Sequence, residues 1–89
     1  MMPVILLYMV ISGGGASEEF YFHGTAFSGY LGCIEYYNEY KHALDAGIER
    51  FGKQHFKTET VTIEDIGCVT QRIDPNGTAV FDDHRSMLP

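Results

Sequence analysis

Two cysteines, Cys33 and Cys68, and four histidines, His23, His42, His55 and His84, carry most of the reactive chemistry in this chain. A nucleophilic thiol needs an imidazole base beside it and a carboxylate to orient that base. Neither cysteine sits in such a context, and the two lie 35 positions apart with no CxxC spacing. Free cysteines usually serve as small hydrophobes, so both read as buried, reduced thiols; one disulfide between them is the lesser alternative. A short secreted chain would be expected to hold more bridges, and the protein is therefore expected in the cytoplasm. Metal sites favour close ligand spacing, whereas successive histidines here are 19, 13 and 29 positions apart. Asp82-Asp83-His84 is the one local cluster of candidate ligands, in a stretch that reads as a solvated terminus. The acidic pairs Glu18-Glu19, Glu64-Asp65 and Asp82-Asp83 fall in strand-like segments. Adjacent strand residues point to opposite faces, so these acids do not converge on one substrate atom. "SGGGAS" lacks the lysine of a phosphate-binding loop and precedes a strand. No catalytic residue, cofactor or metal is expected, and the chain reads as a non-enzyme. A small enzyme using Cys33 or Cys68 is the weakest alternative.

Tyrosine is the enrichment that points to binding. Six of the 89 residues are Tyr, and Tyr30, Tyr36, Tyr37 and Tyr40 cluster within "GYLGCIEYYNEYKHALDAGIERF", Gly29 to Phe51. The ring buries a large area at low entropic cost and keeps a polar tip, which favours interfaces. Tyr30, Tyr36 and Tyr40 read as core. Tyr37 falls on the opposite strand face from Tyr36 and is expected outside, beside Glu35, Glu39 and His42. The full candidate binding set is Glu35, Tyr37, Glu39, His42, Asp45, Glu49, Glu64 and Asp65.

These residues need elements to hold them. "VILLYMVIS", Val4 to Ser12, is apolar throughout and rich in β-branched residues, as expected of a strand buried on both faces. It lacks the cationic start of a signal peptide, and nine residues are too few for a membrane-spanning helix. Gly13-Gly14-Gly15 links it to a second strand, "EEFYFHGTAFSG". Gly29 and Gly32 each cost a helix about 1 kcal/mol relative to Ala, while Asn38-Glu39 is favourable start chemistry. The second β-segment is therefore expected to end near Tyr37 and the helix to begin at Glu39, although positions 30, 34, 37, 44, 48 and 51 also fit a helical period. Tyr40, Ala43, Leu44, Gly47, Ile48 and Phe51 form its apolar stripe, Glu49 and Lys53 a favourable i,i+4 pair, and Gly52 a plausible stop. "TETVTIEDIGCVTQRI" reads as β-structure broken near Asp65–Gly67, and "DPNG" at 74–77 as a turn into "TAVFD".

The order is thus β-β-α-β-β: an α+β fold with an antiparallel sheet of four to five strands and one helix packed on a face. Hydrophobic residues at 45% and aromatics at 13% place the chain among ordered domains. One compact domain is expected over residues 1–83, with a flexible tail over 84–89.

Twelve acids against six scattered bases give a net charge of −6. That excludes a phosphate-gripping stripe and disfavours an anionic membrane surface. Direct nucleic-acid and membrane binding are not expected; a protein partner with a basic surface is. In size, acidity and layout, though in no alignable residues, the chain is similar in type to small phage and mobile-element inhibitors, anti-CRISPR proteins among them. Many of these present acids to nucleic-acid-binding surfaces of host proteins. The alternative is an obligate homo-oligomer, structural or ligand-binding, with Val4–Ser12 pairing across a two-fold axis.

Overall fold

A computed structural model describes residues 3–88. Met1, Met2 and Pro89, the outermost residues of the expected domain and tail, lie outside them. The elements are β1 (Val4–Gly13), β2 (Ala16–Phe27), α1 (Tyr30–Phe56), β3 (Val61–Ile73) and β4 (Ala79–Ser86). The four strands form one antiparallel sheet in the order β2-β1-β3-β4. This is the expected α+β arrangement, with α1 across one face.

The apolar run places β1 inside the sheet. Ile5, Leu7, Met9 and Ile11 face the helix and join Cys33, Tyr37, Ile48, Ile66 and Cys68 in the main core. Leu6 and Tyr8 point the other way and are equally buried, with Val69. Both edges of β1 are hydrogen-bonded, to β2 and to β3. Val4–Ser12 therefore has no free edge to offer a second copy of the chain, which removes that route to a homodimer.

The face without a helix is covered by the sheet itself. Tyr21 of β2 and Phe81 of β4 stack with centroids 3.7 Å apart and planes at 10°. These are the outermost strands, separated by three spacings, which in a flat sheet would be roughly 14 Å. The sheet must coil strongly to bring the rings together, and they close over Leu6, Tyr8 and Val69. Register shifts support the coiling. The shift in β3 falls at Glu64, beside the break expected from sequence; another in β4 is accommodated by Asp83 at φ 55°.

The hairpins follow their turn chemistry. Gly14 and Gly15 both have positive φ, 59° and 82°, as a two-residue turn matched to strand twist requires. Asp74 organises the second turn: its Oδ1 accepts the N–H groups of Asn76 and Thr78, each at 2.9 Å.

Several expectations are corrected. Residues 30–38 are helix, not strand: α1 starts at Tyr30, with extended Gly29 as its cap. Gly29 thus carries no helical cost, and helical spacing turns Cys33 and Tyr37 onto one inward face. Asn38-Glu39 falls instead beside an internal kink at Tyr40, φ −109° and ψ 19°. Gly52 is not the stop; it is buried where the helix meets the sheet, and a Cβ there would lie 3.0 Å from Ile11 Cγ2. The helix ends at Lys57, which adopts left-handed geometry. Finally, Cys33 and Cys68 are not reduced thiols but form a disulfide, with both residues fully buried. The bridge pins the first half of α1 to β3.

Part of the stretch read as a tail is strand. His84, Arg85 and Ser86 belong to β4, and Met87 N–H donates to Ile66 O at 2.8 Å.

Candidate functional site

The kink divides α1 into two surfaces. Across it, the Tyr37 hydroxyl donates to Asp45 Oδ1 at 2.9 Å, Lys41 Nζ lies 3.9 Å from Asp45 Oδ2, and the same ammonium sits 5.4 Å from the Tyr37 ring centroid. Tyr37 is only 4% exposed. The expectation that it lies outside is overturned, because strand parity was applied to a helical segment. Asp45 is half-buried and already occupied, so it serves the fold rather than a partner.

The other candidate residues separate in the same way. Asp65 is half-buried: its Oδ2 accepts the Tyr8 hydroxyl at 2.8 Å, and its Oδ1 accepts Ile66 N–H at 2.9 Å and the Ser86 hydroxyl. Glu49 is exposed and paired with Lys53 at 3.1 Å, the expected i,i+4 contact. Glu64 is exposed at the β3 bulge, remote in sequence from the helical acids. Glu35, Glu39 and His42 are exposed on α1, and neither Glu35 nor Glu39 has an ion-pair or hydrogen-bond partner among the described residues. Leu31 was not singled out from the sequence, yet it is 70% exposed. Positions 31, 35, 39 and 42 follow helical spacing, so Leu31, Glu35, Glu39 and His42 form one outward row. That spacing was visible in the sequence, but only to a helical reading of residues 30–38.

A second polar cluster lies on the coiled face of the sheet. The His84 ring packs edge-on to Tyr8 at 4.9 Å, and its Nε2 is 3.3 Å from Glu19 Oε1, tying β4 to β2. The Tyr21 hydroxyl donates to Glu19. Each of these polar groups is already engaged by a neighbour, so the cluster acts as a clasp. Among the described residues no group of three or more His, Cys, Asp or Glu is placed to hold a metal ion, and no helix is long and apolar enough to cross a membrane. With both sulfurs in a buried bridge, neither cysteine is a nucleophile while the bridge stands.

Burial raises the phenol pKa of Tyr37 from 10.0 to about 12, with the Asp45 hydrogen bond and charge adding to it. Burial first and Glu19 second raise Tyr21 to about 12 as well. Tyr8 moves the same way, through burial and then Asp65. A folded-state pKa above the unfolded value stabilises the fold fully below the unfolded pKa. That contribution is lost as pH rises through the folded one. We therefore expect the melting temperature to hold between pH 7 and 9 and to fall steadily from about pH 10 towards 12. Tyrosine absorbance should show part of the phenol titration delayed until unfolding. A melting temperature unchanged at pH 12 would contradict these environments.

No family model, curated protein or solved structure matches this chain. What the site does rests on its own geometry.

Proposed function

We propose that the protein is a non-enzymatic binding module that docks the outer row of α1, Leu31, Glu35, Glu39 and His42, onto a basic surface of another protein. The observation that supports this best is the pairing of an apolar side chain, 70% exposed, with two acids that have no partner among the described residues. Acids near a helix start can simply complement its dipole, but that effect fades within the first turn. Glu35 and Glu39 lie beyond it. The row is also held rigidly from beneath, by the disulfide at Cys33 and by Tyr37, so little ordering entropy is lost on docking.

A surface that grips nucleic acid is the natural target, because it concentrates Lys and Arg and is blocked by carboxylates at phosphate positions. Many phage and mobile-element inhibitors, anti-CRISPR proteins among them, act by presenting acids to such a surface. This reading keeps the protein in the cytoplasm, where disulfides are rare; full burial of both sulfurs shields the bridge there until the helix lifts from β3. Neither nucleic acid nor a membrane is bound directly.

The test is retention of the partner by wild type and by the double variant Glu35→Lys/Glu39→Lys, at low and high salt. Binding should weaken with salt, since exposed charges are screened within about 8 Å at physiological ionic strength. The variant should lose at least about tenfold in affinity, a change of 1.4 kcal/mol, while its melting temperature stays unchanged. A folded variant that retains full affinity would remove this row from the interface.

A further inference from the structure

A different part of the surface carries an apolar groove. It has a volume of about 420 Å³ and runs between α1 and β2. Leu7, Met9 and Ile66 form its floor, Phe20 and Phe22 one wall, and Leu44, Ile48 and Phe51 the other. Its origin is traceable in the sequence. The bridge anchors α1 to β3, and the helix rests mainly on β1 and β3, leaving the inner face of β2 lightly covered. Ala43 and Gly47 then present no bulk towards that gap, and a Cβ at Gly47 would meet nothing within 4 Å.

We propose that this groove binds a small, uncharged, largely hydrophobic molecule. Three observations choose that occupant. The volume falls in the range of about 300–1,000 Å³ typical of small-molecule pockets. No charged side chain lines it, and the Tyr21 ring is turned to the opposite face of the sheet, against Phe81. The seam between α1 and β2 is also bounded along its length by aromatic bridges. Phe20 meets Phe51 at 4.9 Å and His55 at 5.0 Å on one side, with Glu18 holding His55 at 3.2 Å. On the other side Phe27 meets Tyr36 at 5.4 Å, and Tyr36 meets Tyr40 at 4.9 Å. These contacts close the seam at both ends, which suits a compact occupant. Phe51 and Tyr40 are themselves 45% and 47% exposed, as suits rings standing at the rim.

The experiment titrates the protein with the neutral fluorophore N-phenyl-1-naphthylamine and follows its emission. Wild type should bind it saturably, one probe per chain. Gly47→Leu places a side chain in the groove and also favours helix, so it should weaken binding by about tenfold or more with no fall in melting temperature. Ala43→Phe fills the same space from the preceding turn and should behave alike, while Gly47→Ala should bind as wild type does. Absent or unsaturable binding overturns the proposal, as does unchanged affinity in both filled variants. A dimer seen by light scattering and dissociated by those variants would assign the groove to a second copy, which also overturns it.

Discussion

Replacing Cys33 and Cys68 together by alanine is expected to lower stability by about 4 kcal/mol at 25 °C. The bridge closes a loop of sequence separation 35, and chain-entropy reasoning assigns a loop of that length roughly this value. A domain of this size holds only about 4–13 kcal/mol in total, so the loss takes a large share. Expressed as heat stability, the midpoint should drop by roughly 15–30 °C. The damage should also be uneven. Residues 30–38 depend on the bridge more than the rest of α1, because that half carries Cys33 itself, and nothing in its local chemistry outweighs the strand alternative. Amide exchange in the variant should therefore rise first over Tyr30–Tyr40, and the row that includes Leu31, Glu35 and Glu39 should lose its order before the sheet does. In the intact protein, reductant alone should act slowly under native conditions, since neither sulfur is exposed. A double variant within about 1 kcal/mol of wild type would show that core packing alone holds the helix to β3.

The same bridge explains where the sequence was legible and where it was not. The unbroken apolar run at Val4–Ser12, the tandem glycines and Asp74-Pro75-Asn76-Gly77 each carry their structural meaning locally, so β1, both hairpins and the element order could be read directly. The start of α1 could not, because its determinants are distant. Gly32 inside the helix costs about 1 kcal/mol, and Gly29 escapes that cost only as the extended cap. A covalent tie to Cys68 and burial of Tyr37 outweigh what remains. Nothing in the spacing of two isolated cysteines reveals that tie. A strand reading of residues 30–38 turns Tyr37 outward by parity and hides the alignment of Leu31 with Glu35 and Glu39. Asp45 and Asp65 show a related limit. Charge is visible in a sequence, but whether a carboxylate faces solvent or accepts a buried phenol depends on partners eight and 57 positions away. The groove was invisible for a third reason, since a gap between elements is set by the angle at which the helix is anchored.

Gly67→Ala is the single substitution expected to do most harm, about 3 kcal/mol or more. Gly67 lies in β3 opposite Tyr8 of β1 on one side and Ser86 of β4 on the other. An added Cβ would sit 2.1 Å from Arg85 O and 2.9 Å from Arg85 C, with the Tyr8 ring at 2.8 Å. A side-chain clash is often relieved by a rotamer change, but the nearest obstacle here is backbone, so β4 itself must move. Moving it breaks the Met87 N–H bond to Ile66 O and the Ser86 hydroxyl bond to Asp65. It also withdraws His84 from Tyr8 and Glu19, which loosens the clasp between the sheet edges. The midpoint should fall by at least about 12 °C, with exchange protection lost first along β4 and around Tyr8. Gly47→Ala gives the contrast, because open space awaits its methyl and helix propensity favours the change by about 0.5–1 kcal/mol. If Gly67→Ala melted within about 2 °C of wild type, β4 would have to pair less tightly with β3 than the close approach at Arg85 implies. The coiled face of the sheet would then lose its explanation, since only a tightly held β4 brings Phe81 over to Tyr21.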